Sequence, residues 1–238
     1  MANLPNNNFT TNTLSLHAGY EYDRQRTLSV PIYQSTAYSF ENAEQAAARF
    51  SLEELGNIYS RLTNPTVDML AKRIAAVEGG AFGVATASGS SAVFYSLVNL
   101  AQNGDNIAYS NKIYGGSQTL LVHVLKRFGI EGRVFDIDNL SSLEKIIDDK
   151  TKAIFFESLS NPQIAIADVE TITNIAKKHK IVTICDNTVA TPILFRPFDF
   201  GVDVSVHSLT KYINGHGSGL GGAVIEREGL NEFIKDNS

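Results

Sequence analysis

The residues best suited to chemistry lie close together, in Asp203-Val-Ser-Val-His-Ser-Leu-Thr-Lys-Tyr-Ile-Asn-Gly-His-Gly217. Val202, Val204 and Val206 alternate with Asp203 and Ser205, the period-2 pattern of a strand. The strand runs into Ser208, Thr210 and Lys211, and glycines follow at 215, 217 and 219. A lysine at such a break lies at the rim of a sheet, where α/β proteins put their ligands. Its amine is a nucleophile toward carbonyls once deprotonated. Two hydroxyls within three residues of it can donate to a phosphate. No Walker-type glycine pattern precedes the lysine, so the combination points to a phosphate-bearing aldehyde. On this stretch alone a solvated surface lysine stays open as the alternative.

Other residues of the right type follow the same logic. Ser88-Gly-Ser-Ser91 follows a strand and opens a helix, where the backbone N–H groups of Gly89 and Ser90 can approach an anion. It is not G-x-G-x-x-G, and Asp105 is badly placed for a ribose contact, so a dinucleotide site is disfavoured. Tyr114, in Tyr114-Gly-Gly, can stack on a planar ring or simply pack. Asp186 ends the apolar run Ile181-Val-Thr-Ile-Cys and needs a partner. That partner is either a helix N-terminus that it caps or a protonated pyridine nitrogen. Tyr59 and Arg61 precede a helix with no apolar pattern to explain them. They form either a capping pair or a phosphate grip. Anion turn, aromatic, acid and lysine fall on successive strand ends, and together they form a complete set for pyridoxal phosphate.

The elements that must position these residues alternate. Strands are expected at 83–87, 106–109, 133–135, 153–156, 181–185, 202–206 and 221–226, seven in all. Helices are expected at 39–50, from Asn64-Pro65 to Gly79-Gly80, and at 91–101, 116–128, 140–148 and 169–179. The alternation predicts an α/β fold, a mostly parallel seven-stranded sheet with helices on both faces. The last strand returns through a link too short for a crossover helix, so it is expected to run antiparallel. Residues 1–13 read as poorly ordered, and 1–60 as an N-terminal arm lying on something other than its own domain. Residues 61–238 are the cofactor-binding domain, and the chain reads as truncated before a smaller C-terminal domain.

Composition narrows the class. The net charge of −5 and pI near 5.5, without a basic stripe, argue against nucleic acid. No apolar run is long enough to span a membrane, and the N-terminus lacks a signal pattern. The single cysteine, Cys185, excludes an internal disulfide or Cys-rich metal site. A cytoplasmic protein is expected.

The motifs Tyr59-Ser-Arg-Leu-Thr-Asn-Pro-Thr66, Ala87-Ser-Gly-Ser-Ser-Ala92, Tyr114-Gly-Gly, Glu157-Ser-Leu-Ser-Asn-Pro162, Asp186-Asn-Thr188 and Ser208–Gly217 resemble the Cys/Met-metabolism pyridoxal-phosphate enzymes of the cystathionine γ-synthase type. The resemblance runs from about residue 14 to the end. Gly-His-Gly-Ser-Gly after the lysine is most similar to the O-acetylhomoserine sulfhydrylase branch; lyases and cystathionine synthases on the same scaffold usually read Gly-His-Ser-Asp. The resemblance implies the large domain of a fold-type I pyridoxal-phosphate transferase. Lys211 would carry the Schiff base and shuttle protons, and Tyr114 would stack on the ring. Asp186 would face the pyridine nitrogen, with Asn161 near the ring hydroxyl. Gly89, Ser90, Ser208 and Thr210 would hold the phosphate, and Tyr59 and Arg61 would reach the phosphate of a neighbouring subunit. Ser90 departs from the Met or Gln of many relatives. The implied reaction is replacement of acetate in O-acetyl-L-homoserine by sulfide or a thiol, giving L-homocysteine for methionine biosynthesis, in a homotetramer of catalytic dimers. The rivals are a γ-lyase or cystathionine synthase and, from a different class, a non-catalytic fragment. The arginine for the substrate carboxylate is expected beyond residue 238.

Overall fold

A computed structural model describes residues 9–237 of the chain. Seven strands, β1 Phe82–Thr86, β2 Asn106–Ser110, β3 Glu131–Phe135, β4 Thr151–Glu157, β5 Val182–Asp186, β6 Val204–Ser208 and β7 Gly222–Glu226, form one sheet in the order β1-β7-β6-β5-β4-β2-β3. The neighbours β3, β2, β4, β5 and β6 pair in parallel. β7 runs antiparallel to both β1 and β6, as the short link before it required. β4 reads Ala153-Ile-Phe-Phe156 without a polar break, because both of its faces are covered.

The helices are α1 Thr11–His17, α2 Ala43–Phe50, α3 Pro65–Glu78, α4 Gly89–Val98, α5 Gly115–Thr119, α6 Ser141–Ile146, α7 Val169–His179, α8 Thr191–Leu194 and α9 Leu230–Asn237. One face of the sheet buries Ile107, Phe155, Ile184 and Val206 against Leu97 of α4 and the leucines 121 and 125 after α5. The other buries Ile154, Phe156 and Cys185 against Leu143 of α6 and Ile172 and Ala176 of α7. Local chemistry explains the boundaries. Asn64 caps α3, accepting from the N–H groups of Thr66 and Val67, and Pro65 supplies a first-turn residue that needs no N–H acceptor. Gly79 ends the helix at φ +87°, a conformation that glycine adopts without strain. α7 is capped by Asp168 and finishes on Lys177, Lys178 and His179, which suit the negative end of its dipole.

Several expectations are corrected. Of the segment expected to be poorly ordered, residues 1–8 lie outside the described residues, while Thr11 to Thr13 begin α1, whose N-terminus Thr10 caps. α1 buries no residue, so it left no apolar stripe to read. The first strand ends at Thr86 rather than residue 87, because Ser88 is already the cap of α4. The helix expected at 116–128 is α-helical only to Thr119; it widens to a π turn over Leu120–Val124 and tightens to 3₁₀ over Leu125–Phe128. Val67 and Leu70, expected on the buried side of α3, are partly exposed, whereas Ile74 and Val77 are buried. Among the described residues no helix is long and apolar enough to cross a membrane.

Candidate active site

The site is built at the C-terminal ends of β4, β5 and β6, the edge from which open α/β sheets present ligands. These strands end on Glu157, Asp186 and Ser208, with Glu157 and Asp186 paired in register. The ends of β5 and β6 are tied together by Thr188. Its hydroxyl oxygen accepts from Ser208 N–H at 2.8 Å, and its own N–H donates to Asp186 Oδ1 at 3.0 Å.

The turn before α4 packs directly on Ser208. A Cβ added at Gly89 would lie 2.7 Å from Ser208 Cα, so only glycine allows the approach. Ser88 caps the helix by accepting from Ser91 N–H at 3.2 Å. The N–H groups of Gly89 and Ser90, in the first helical turn, have no intrahelical acceptor. Gly222 is equally constrained, since a Cβ there would meet the Ser88 backbone. The start of β7 therefore locks the same turn from its other side.

Lys211 lies in the exposed turn after β6. Its N–H donates to Ser208 O at 3.2 Å, and its carbonyl accepts from Gly215 N–H at 2.8 Å. Among the described residues its ammonium has no hydrogen-bond or ion-pair partner. The Thr210 hydroxyl is committed to the Gly221 backbone, whose N–H and carbonyl lie 3.1 and 3.2 Å from it, and so braces the return into β7. Tyr114 stands before α5 with its ring exposed and laid against Gly116, where an added Cβ would clash with the ring edge. The Asn161 side chain is exposed at the start of a loop beyond β4. Tyr59 and Arg61 pair with each other, guanidinium over ring at 5.5 Å, and neither hydrogen-bonds to the sheet rim among the described residues.

The electrostatics centre on two carboxyls. Burial pushes Asp186 up from the ordinary carboxylate range, partly offset by hydrogen bonds from Thr188 and by His207. Burial, reinforced by the charge of Asp186, pushes Glu157 up to about 7, against the pull of the N–H groups of Tyr114 and Asn161. Neither carboxyl forms an ion pair with a Lys or Arg among the described residues.

Sequence reasoning missed the roles of Glu157, Thr188 and a second layer beneath them. On the opposite face of the sheet, Glu78 at the end of α3 is fully buried. Its Oε1 accepts from Asn187 Nδ2 at 3.1 Å and Ser205 Oγ at 2.6 Å, and lies 3.0 Å from His207 Nε2. Ser158 Oγ donates to Asn187 Oδ1 at 2.7 Å. Asn187 follows Asp186, Ser158 follows Glu157 and His207 precedes Ser208, so strand alternation puts this network behind the site. One signal was available: an acid in the last turn of a helix opposes the helix dipole and needs a tertiary reason. Asp203 is also structural. Its Oδ2 accepts from the backbone N–H and the hydroxyl of Thr183, both at 2.8 Å, and its Oδ1 from Arg227 at 2.6 Å.

Residues 12–236 match the family model described as Cys/Met metabolism PLP-dependent enzyme. A Campylobacter jejuni crystal structure assigned to an O-acetylhomoserine (thiol)-lyase, which carries N'-pyridoxyl-lysine-5'-monophosphate, matches with a TM-score of 0.95 and 69% identity, covering 97% of this chain and 57% of that one. The O-acetyl-L-homoserine sulfhydrylase of Corynebacterium glutamicum is 46% identical over 216 residues, 90% of this chain and 49% of that protein. That of Leptospira meyeri is 41% identical over 225 residues, 94% and 51%. The chain belongs to the Cys/Met metabolism PLP-dependent enzymes. It spans about half the length of the curated relatives it matches.

Proposed function

We propose that the full-length protein replaces the acetyl group of O-acetyl-L-homoserine with sulfide or a thiol, using pyridoxal phosphate and giving L-homocysteine and acetate. The observation that carries this reading is the close approach of Gly89, at the open N-terminus of α4, to Ser208, three residues before a lysine with no partner among the described residues. This cradle suits a phosphate. The two raised carboxyls support the same reading, because a cationic ring nitrogen beside Asp186 supplies the partner that the chain does not.

The residues take these roles. Gly89 and Ser90 N–H groups bind the phosphate together with the Ser208 hydroxyl. Thr210 contributes its hydroxyl only by releasing a bond to Gly221. Asp186 would hold a proton on the ring nitrogen, Tyr114 would cover the ring face and Asn161 would lie toward its hydroxyl edge. Lys211 would hold the cofactor when no substrate is present, and its Nζ would carry the proton from the substrate Cα. When bound, pyridoxal phosphate supplies an electron sink for the charge that this step leaves. Loss of a second proton, from Cβ, would let the Cγ–oxygen bond break and release acetate; hydrosulfide would form the new carbon–sulfur bond at Cγ, and the protons taken from Cβ and Cα would be returned.

Tyr59 and Arg61 act on the phosphate of a neighbouring subunit, which accounts for their pairing with each other in a single chain. The exposed Leu16, Leu28, Ile32, Leu52 and Leu55 support an arm at 1–60 that packs on another subunit. The assembly is a homotetramer of catalytic dimers in the cytoplasm. The test is acetate release by the full-length protein with and without sulfide. Homocysteine in step with acetate is expected; 2-oxobutyrate as the main product would identify a lyase instead.

A further inference from the structure

Glu157 has none of the roles above, yet its carboxyl joins two loops at the rim. It is 5% exposed, on the strand end next to Asp186, and on the same face of the sheet. Each of its oxygens accepts one backbone N–H from a different loop. Oε1 takes Tyr114 N–H at 2.6 Å and Oε2 takes Asn161 N–H at 2.9 Å. Tyr114 ends the loop after β2, and Asn161 lies in the loop after β4. Tyr114 precedes α5, and the position of its ring over Gly116 follows from the backbone at that point. Asn161 begins the tight loop closed by Ile164 N–H on Ser160 O and by Ser160 N–H on Ala165 O. Neither residue's own side chain is buried enough to fix its position.

We propose that Glu157 is a positioning residue that sets, through two backbone N–H groups, where the aromatic face of Tyr114 and the amide of Asn161 meet the cofactor ring. This rests on the reading that pyridoxal phosphate occupies this rim. A carboxylate is the one side chain that can accept both bonds here. Glutamine has a single acceptor oxygen, so it leaves one of the two N–H groups facing a donor. Aspartate is one methylene shorter and cannot span both loops. The raised titration of Glu157 agrees with this geometry, since the group is held next to Asp186 by its N–H bonds and not by a cation.

The test uses the full-length protein, wild type and E157Q, first without cofactor and then with added pyridoxal phosphate. In the cofactor-free wild type, amide hydrogen exchange at Tyr114 and Asn161 should be slowed. In E157Q at least one of the two should exchange about tenfold faster. With cofactor, E157Q should show a weaker circular-dichroism signal in the cofactor band, because the ring is held less firmly. It should also need about tenfold more pyridoxal phosphate for half-saturation. Unslowed exchange at both amides in the wild type overturns the brace whatever the variant does. Equal exchange, circular dichroism and saturation in the two proteins also overturns it. A wild type that shows slowed amides but no cofactor band refutes the pyridoxal-phosphate reading instead.

Discussion

Replacing Glu157 by glutamine should change how the stability of the cofactor-free chain depends on pH. In the folded state burial and the charge of Asp186 raise the carboxyl from its ordinary 4.5 to about 7. The folded state therefore keeps a proton that the unfolded chain gives up between those two values. Stability from this group is fully present below the unfolded value and is lost as pH rises through the folded one. At roughly 1.4 kcal/mol per pH unit, the gap is worth about 3 kcal/mol, most of it lost between pH 5 and pH 8. Asp186 is shifted in the same direction by its own burial, which is common to both proteins; only its repulsion with Glu157 is lost in E157Q and belongs to the effect measured. The assay is urea unfolding at pH 5 and pH 8. The wild type should lose about 2–3 kcal/mol more than E157Q across that interval. The constant cost of the lost hydrogen bond shifts the E157Q values equally at both pH values. Bound pyridoxal phosphate, by putting a cation beside the pair, should flatten the wild-type dependence. Parallel pH profiles for the two proteins, or a wild type that gains on E157Q as pH rises, would refute the reasoning.

G89A should force the turn before α4 away from Ser208, costing about 1–3 kcal/mol in denaturant unfolding and weakening cofactor retention. E78A should leave Asn187, Ser205 and His207 without their shared acceptor, lowering unfolding free energy by about 3–5 kcal/mol, although the residue touches nothing at the front of the site. If Arg61 serves the neighbouring subunit, R61A and K211A should each be inactive alone. Co-expressed, they should regain about a quarter of wild-type activity, since half of randomly paired dimers are hybrid and each hybrid has one intact site. No recovery in the mixture would return Arg61 to its own chain.

How far the sequence led can be argued from particular residues. The sheet was legible because β4 and β5 are continuous apolar runs and α7 has a clear buried stripe, Ile172 and Ala176, between polar residues. The antiparallel return of β7 followed from link length alone. α1, with no buried side chain, gave no periodic signal, and neither did the π turn after α5, whose Leu121 and Leu125 would be buried at the same spacing in a regular helix. At the site, Asp186 was found because an acid ended a buried run. Glu157 ends an equally apolar run, but what makes it matter is the pair of N–H groups from loops 43 residues before it and 4 after, and only the fold reveals those. Thr210 shows the opposite limit: its residue type fits a phosphate donor, yet the structure commits its hydroxyl to Gly221.

The central claim is that Lys211 carries pyridoxal phosphate in a cradle formed by α4 and Ser208. The most direct test is the absorption spectrum of the full-length protein before and after borohydride, followed by identification of the modified peptide. The account predicts a visible band that borohydride abolishes, with the reduced adduct on Lys211. A full-length protein that shows no band after added pyridoxal phosphate, or an adduct on any other lysine, would contradict it.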